Sequence, residues 1–552
     1  MRISRRELLA TLLGAPLAGQ LAACETERPP ASPDAIEGGF VEPDHRLGHR
    51  LRTPPPPDAA FADAPTERVD VAIVGGGPAG LAAAWRLARR SDLRVRLLEL
   101  EPHCGGTARG GRDQVTPYPW AAHYITTPLS DDGPLPGLLR ELDVLEPSGP
   151  DGRLRAREQY LVRQPRERLF YRGYWYPGLY PRVGANAEDL AQLARFEREV
   201  ERLAAQRDAR GRRAFAIPIA SGSDDAEWTA LDRISAADWM GARGLTSPRL
   251  RFVLDYACRD DFGLRLEHAS AWALLHYHAS RRDVRRDYDA EVITWPQGNA
   301  ALTDHMRAVA GDAVRTGKLV VGVVPARPES AGGGEVAVHV IDGASGGLER
   351  VLARRVVVAA PRFVAARIVR APQPLSTEGF EHGAWMVANL HLRSRPGGRG
   401  CEPAWDNVLH DSPALGYVTA THQRGRDHGP TVWSYYLPMT DADPRNGRRR
   451  LMQVDWAGHR DAVLADLGRA HPDLVQHVER IDVCRWGHGM VQPRVGTVFG
   501  AARRRAARPV AGVHFAHSDL SGVALFEEAF HHGVRAADEV RAGLRAAAEV
   551  PT

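Results

Sequence analysis

Three glycines and one acid carry the clearest chemistry in this sequence: Gly75, Gly77 and Gly80, with Glu99 beyond them. The glycines have GxGxxG spacing, with Ala79 inside the turn. Gly75 permits a tight turn, Gly77 lets a pyrophosphate reach the backbone, and Gly80 lets helix and strand pack closely. A helix opening at this point offers free N–H groups and its positive dipole end to phosphates. Glu99 stands about 20 residues on, where the ribose hydroxyls of an adenine dinucleotide need an acceptor.

Such a pattern means something only if regular elements position it. Residues 69–74 are an apolar run broken only by Asp70 and suited to a buried parallel strand, and residues 81–88 form helix readily. Residues 95–99 make a second apolar strand that ends in the acid. Residues 319–324, 336–341 and 355–361 also read as strands. Residues 513–519 read as a strand running into Asp519, followed by a helix over 526–537. Between these lie helices, one capped by Asn186 with Asp189 three residues later, another opened by Ser235 with Asp238. Residues 256–263 are conspicuously polar for their apolar surroundings. His276 and His278 do not share a helix face, and no cysteines are spaced as ligands, so no metal is expected.

The run Glu99-Leu100-Glu101-Pro102-His103-Cys104-Gly105-Gly106-Thr107 resembles the acid-then-Gly-Gly element of the flavin amine oxidase, protoporphyrinogen oxidase and phytoene desaturase superfamily. The resemblance implies FAD, held noncovalently, with Gly105, Gly106 and Thr107 along its pyrophosphate and Arg109 as a phosphate contact. It places His123 in the loop beneath the isoalloxazine ring and the Val323 backbone against adenine. It gives Asp519 to the ribityl or pyrophosphate region, and Ala529 to a helix whose N-terminus points at the flavin. Residues 485–493 resemble the segment over the ring, so Trp486, His488 and Met490 are expected to line the substrate cavity. The implied fold is a Rossmann-type FAD-binding domain with an interleaved α+β substrate domain. FAD-binding parts are expected at 67–125, 291–365 and 485–545, and substrate-domain parts at 126–290 and 366–484.

Absences narrow the reaction. No second GxGxxG opens a helix, so a separate NAD(P)H domain is not expected, and no CxxC supports disulfide chemistry. Electrons should come from a small or lipophilic organic substrate and leave to oxygen or a quinone. Relatives that oxidise amines typically hold a lysine bonded through water to flavin N5. Here the only lysine is Lys318, beside the expected adenine strand, which favours a desaturase-like or porphyrinogen-oxidase-like reaction. A redox-neutral isomerase and a non-catalytic FAD-binding envelope protein are the alternatives.

The 552 residues carry a net charge of only +4, and no basic stripe with interleaved aromatics points to nucleic acid. Arg5 and Arg6 before an apolar run too short to span a bilayer look like a twin-arginine signal, read by the corresponding export machinery. Residues 21–24 resemble a lipoprotein box, making Cys24 a lipid anchor on the periplasmic side. The polar, proline-rich stretch 25–66 is expected to be an extended, disordered tether.

Overall fold

The computed structural model describes residues 32–41, 45–89, 92–147, 149, 151–284, 288–326 and 334–549, so the leader and Cys24 lie outside the described residues. Two sheets organise these residues. The first is centred on Thr66–Val74, flanked by Val95–Leu98 on one side and Leu348–Val358 on the other, all parallel. Their C-terminal ends, residues 71–74, 97–98 and 356–358, are apolar and buried because helices cover the sheet. Helix Pro78–Ala88 packs on one face with the C-terminal helix Phe526–Glu549, and Val71, Ile73, Leu81 and Leu87 are wholly buried. Leu348–Val358 is shared by two neighbours on its outer side. Its first half pairs antiparallel with Val336–Asp342, and its last residues pair parallel with Val513–Phe515. The C-terminal ends of the parallel strands therefore converge on one crevice, the place where such sheets bind ligands.

The second sheet has eight strands, with the long antiparallel pair His382–Leu392 and Val478–Val491 at its heart. The expected domain boundary at 485 falls inside Val478–Val491, so Trp486, His488 and Met490 belong to this sheet. Helices Ala187–Ala205, Pro248–Phe262 and Ala271–Ala279 form a third layer around Trp239, Trp272 and Phe262. Asn186 caps the first of these, accepting from Asp189 N–H while the Asp189 carboxylate accepts from Asn186 N–H. The two-domain α/β fold matches the sequence expectation.

The stretch read as a tether is not one over its described part. Strand Glu37–Phe40 pairs parallel with Arg480–Val483, and Phe61 is wholly buried. Isolated apolar residues among prolines do not announce themselves as core, because the surface that buries them comes from elsewhere in the chain.

Candidate active site

The crevice holds a cavity of about 440 Å3. At its floor the chain leaves Val74 through Gly75, whose φ of +105° suits glycine, and enters the helix at Pro78 with Gly77 as N-cap. A Cβ on Gly80 would run into the Gly75 carbonyl, so close packing of helix on turn requires glycine there. A Cβ on Gly77 would meet nothing within 4 Å. That open space against bare backbone at a helix N-terminus fits a diphosphate. Gly75, Gly77, Ala79, Glu99, Gly106 and Thr107 all line the cavity. Glu99 accepts from Gly76 N–H at 2.5 Å and from Glu101 N–H at 2.8 Å, and burial pushes its carboxyl pKa upward. Gly80 and Gly105 shape the turns without lining the cavity, Gly105 with φ of +115°.

Three expected contacts fall elsewhere. Val323 is wholly buried and its carbonyl accepts from Arg370 N–H, so its backbone is not open to a ligand. The strand Lys318–Val324 presents Lys318, Leu319 and Val320 to the cavity instead, across a bulge between Val320 and Gly322 that shifts the register. Asp519 turns inward, accepting from Arg362 N–H at 2.7 Å and lying 3.0 Å from His382 Nε2 and 2.9 Å from His517 Nδ1. His517 and Ser518 take its place on the wall. Arg109 lays its guanidinium over the Trp486 ring, 5.1 Å from the centroid, so it supports the cavity from behind.

At the far end the cavity is lined by His123, Trp486, His488, Met490 and Ala529. Trp486 Nε1 donates to the Trp120 carbonyl at 2.8 Å. Burial drives the imidazole pKa of His123 down to about 4 and that of His488 to about 3, so both rings are neutral near pH 7. Lys318 sits at the opposite end, beside Leu100, paired with Asp342 at 2.8 Å and Glu349 at 2.7 Å.

A second cavity of about 450 Å3 opens from the His123 end, sharing His123, Tyr124, Asp260, Arg281 and Tyr436 with the first. It reaches the surface past the exposed Glu197 and Glu201. Its inner walls are aromatic: His123 stacks on Tyr436 with centroids 4.8 Å apart, beside Trp405 and Tyr124. Two acids face it. Asp261 is satisfied by Arg281 at 2.8 Å and by Tyr124 Oη–H at 3.1 Å, yet its neighbour Asp260 has no ion pair among the described residues. Asp406 accepts from Tyr256 Oη–H at 3.0 Å and likewise has no ion pair among the described residues, Arg166 being the nearby cation. Burial, reinforced by Asp261 and Asp406, holds the Asp260 carboxyl far above the usual range. Burial and the nearby Glu167 push Asp406 to about 7. Asp260 lies in the polar run 256–263, which was the available signal, whereas nothing in the residues around Asp406 marks it. Tyr436 and His382 were equally silent.

The family model for flavin containing amine oxidoreductase matches residues 78–541. Among solved structures, wild-type putrescine oxidase bound to putrescine aligns over 87% of this chain and 100% of its own, with a TM-score of 0.63 and 19% identity. Cyclohexylamine oxidase from Brevibacterium oxydans IH-35A covers 86% and 99%, with a TM-score of 0.59 and 17% identity. A CLA-producing fatty acid isomerase from P. acnes covers 85% and 98%, with a TM-score of 0.58 and 14% identity. The chain spans less than a quarter of the length of the curated relatives it matches, the longest match being 24% of a thiamine thiazole synthase from Aeropyrum pernix at 38% identity. With the family model spanning most of its length, the chain belongs to the flavin containing amine oxidoreductases, with FAD as its cofactor.

Proposed function

We propose that this protein oxidises a small organic cation, an amine, and passes the electrons through FAD to oxygen or a quinone. The observation that carries the reading is the pair Asp260 and Asp406, facing the outer cavity with no ion pair among the described residues although Arg166 and Arg281 stand in the same walls. Buried carboxylates left this way are costly unless a ligand supplies the missing charge. The rings of His123, Tyr124, Trp405 and Tyr436 offer faces to the same cation. A neutral His123 does not repel it. Asp260, at the junction of the cavities, is held protonated in the empty site by burial and its acid neighbours, so it pairs with an ammonium group only on giving up that proton. Tyr256 orients Asp406, which holds the charge of the bound substrate. Bound FAD supplies the two-electron acceptor. The acids in the walls favour a cationic substrate over the desaturase-like and porphyrinogen-oxidase-like expectation, because a bound cation can be met by their ionised forms and a polyene cannot.

Anaerobic mixing with monoamines, diamines, porphyrinogens and polyenes tests this. Loss of the oxidised flavin absorbance with amines is expected, with an imine two hydrogens lighter that water converts to a carbonyl compound and released ammonia or amine. Bleaching by polyenes or porphyrinogens alone would overturn it, and a product of unchanged mass would establish isomerisation instead. We place the mature chain on the periplasmic side, exported through Arg5 and Arg6 and anchored at Cys24. Undiminished export after Arg5→Lys with Arg6→Lys, which keeps the charge, would exclude the twin-arginine route.

A further inference from the structure

The described residues between Ser32 and Ala64 precede the region matched by the family model, yet they are fastened to both sheets. Strand Glu37–Phe40 extends the edge of the eight-stranded sheet beside Val478–Val491, the strand that carries Trp486 and His488. At the other end Phe61 is wholly buried against the Rossmann-type sheet, stacked on His339 with centroids 4.2 Å apart and planes 3° from parallel. Asp58 pairs with Arg370 and lies 3.2 Å from His339 Nδ1. Between these anchors Leu51 enters the wall of the dinucleotide cavity, beside Leu100, Leu319 and Val320. Leu51 thus lies next to Glu99, where an adenosine would lie, while its neighbours His49 and Arg52 reach close enough to His488 to depress its imidazole pKa.

We propose that residues 45–61 are a strap that closes the adenosine end of the FAD site and sets the rate at which FAD enters and leaves. The short helix His45–His49 and the turns that follow have no buried residue before Phe61, so the strap can lift locally without unfolding either sheet. A cofactor enclosed beneath it must wait for that opening. Linkage requires the reverse as well, so bound FAD holds the strap down. The inference needs only FAD in this cavity and is independent of the substrate.

Two measurements on the full-length protein test it. FAD release, followed by the rise of free flavin fluorescence after dilution, should quicken about tenfold or more in Phe61→Ala. Asp58→Asn, which loosens a half-exposed pair and leaves the core intact, should do the same to a smaller degree. Leu467→Ala, buried in the other half, serves as a control for general destabilisation. Limited proteolysis of wild type should cut within 45–61 much faster in the FAD-free form than in the loaded one. Release rates unchanged in both strap variants, or raised equally by Leu467→Ala, would overturn the proposal. So would equal cutting of loaded and FAD-free protein.

Discussion

The two connected cavities are built from different materials. The dinucleotide cavity is floored by backbone: Gly75, Gly77 and Gly106 turn peptide groups toward it, and Glu99 is locked by two backbone N–H groups. The outer cavity is walled by side chains, with Asp260, Asp406, Tyr436 and Trp405 brought together from a helix, strands and a loop. A backbone site demands particular residues at fixed spacing, because only glycine leaves the peptide bare. A side-chain site can be assembled from any positions the fold makes adjacent, so it is free to change with the substrate.

The sharpest way to break this comparison is to put a side chain into the backbone site. Gly77→Val should fold, since its Cβ enters open space, and should bind no FAD. The flavin absorbance per mole of purified protein measures this directly. Gly80→Val should instead fail to accumulate as folded protein, because its Cβ collides with the Gly75 carbonyl. A Gly77→Val protein that purifies with a full complement of flavin would show that the cofactor lies elsewhere.

The outer cavity should respond in the opposite manner. Asp406→Asn and Asp260→Asn should keep their flavin and lose affinity for a cationic substrate. Removing one member of a buried charge pair weakens binding by about 2–5 kcal/mol, a rise in KM of about 30-fold or more. An unchanged KM for amines in both variants would remove the cation site. Between these extremes stands Glu99→Ala, where the dinucleotide site uses a side chain. Losing hydrogen bonds to a charged group should weaken FAD binding by about 1.5–3 kcal/mol, read as the dissociation constant from flavin fluorescence titration.

How much of this was legible follows the same division. The strand, glycine turn, helix and second strand could be read because each depends on contiguous residues: residues 71–74 and 97–98 are apolar and buried, and Gly75 has a positive φ. Val323 was placed by resemblance, which does not fix the register of a strand, and Lys318, Leu319 and Val320 line the cavity instead. Asp519 is an acid at a strand end, but its burial between His382 and His517 depends on a strand more than a hundred residues away. Asp406 could not be found at all, since its meaning comes from Tyr256 and Asp260 on a distant helix. The strap was hidden for the same reason, its core being one phenylalanine on a borrowed sheet.

The smallest expected effect sharpens the comparison without changing any residue. Asp406 ionises near 7 because burial disfavours its charged form, whereas an unfolded aspartate ionises near 4. A carboxyl whose folded pKa is raised binds protons more tightly folded than unfolded. Its protonated form therefore favours the folded state below the unfolded pKa, and that contribution is lost as pH rises through the folded value. A bound cation favours the ionised form, so substrate and proton compete for the same site. An amine keeps its charge across this range, and KM should fall as pH rises from about 6 to about 7.5, by roughly tenfold if Asp406 must be ionised to bind. FAD affinity rests on backbone groups and should change far less over that interval. In Asp406→Asn the pH dependence of KM should flatten while that of FAD binding stays as in wild type. A KM profile that keeps its full slope in the variant would assign the titration to another group and leave Asp406 without a part in substrate binding.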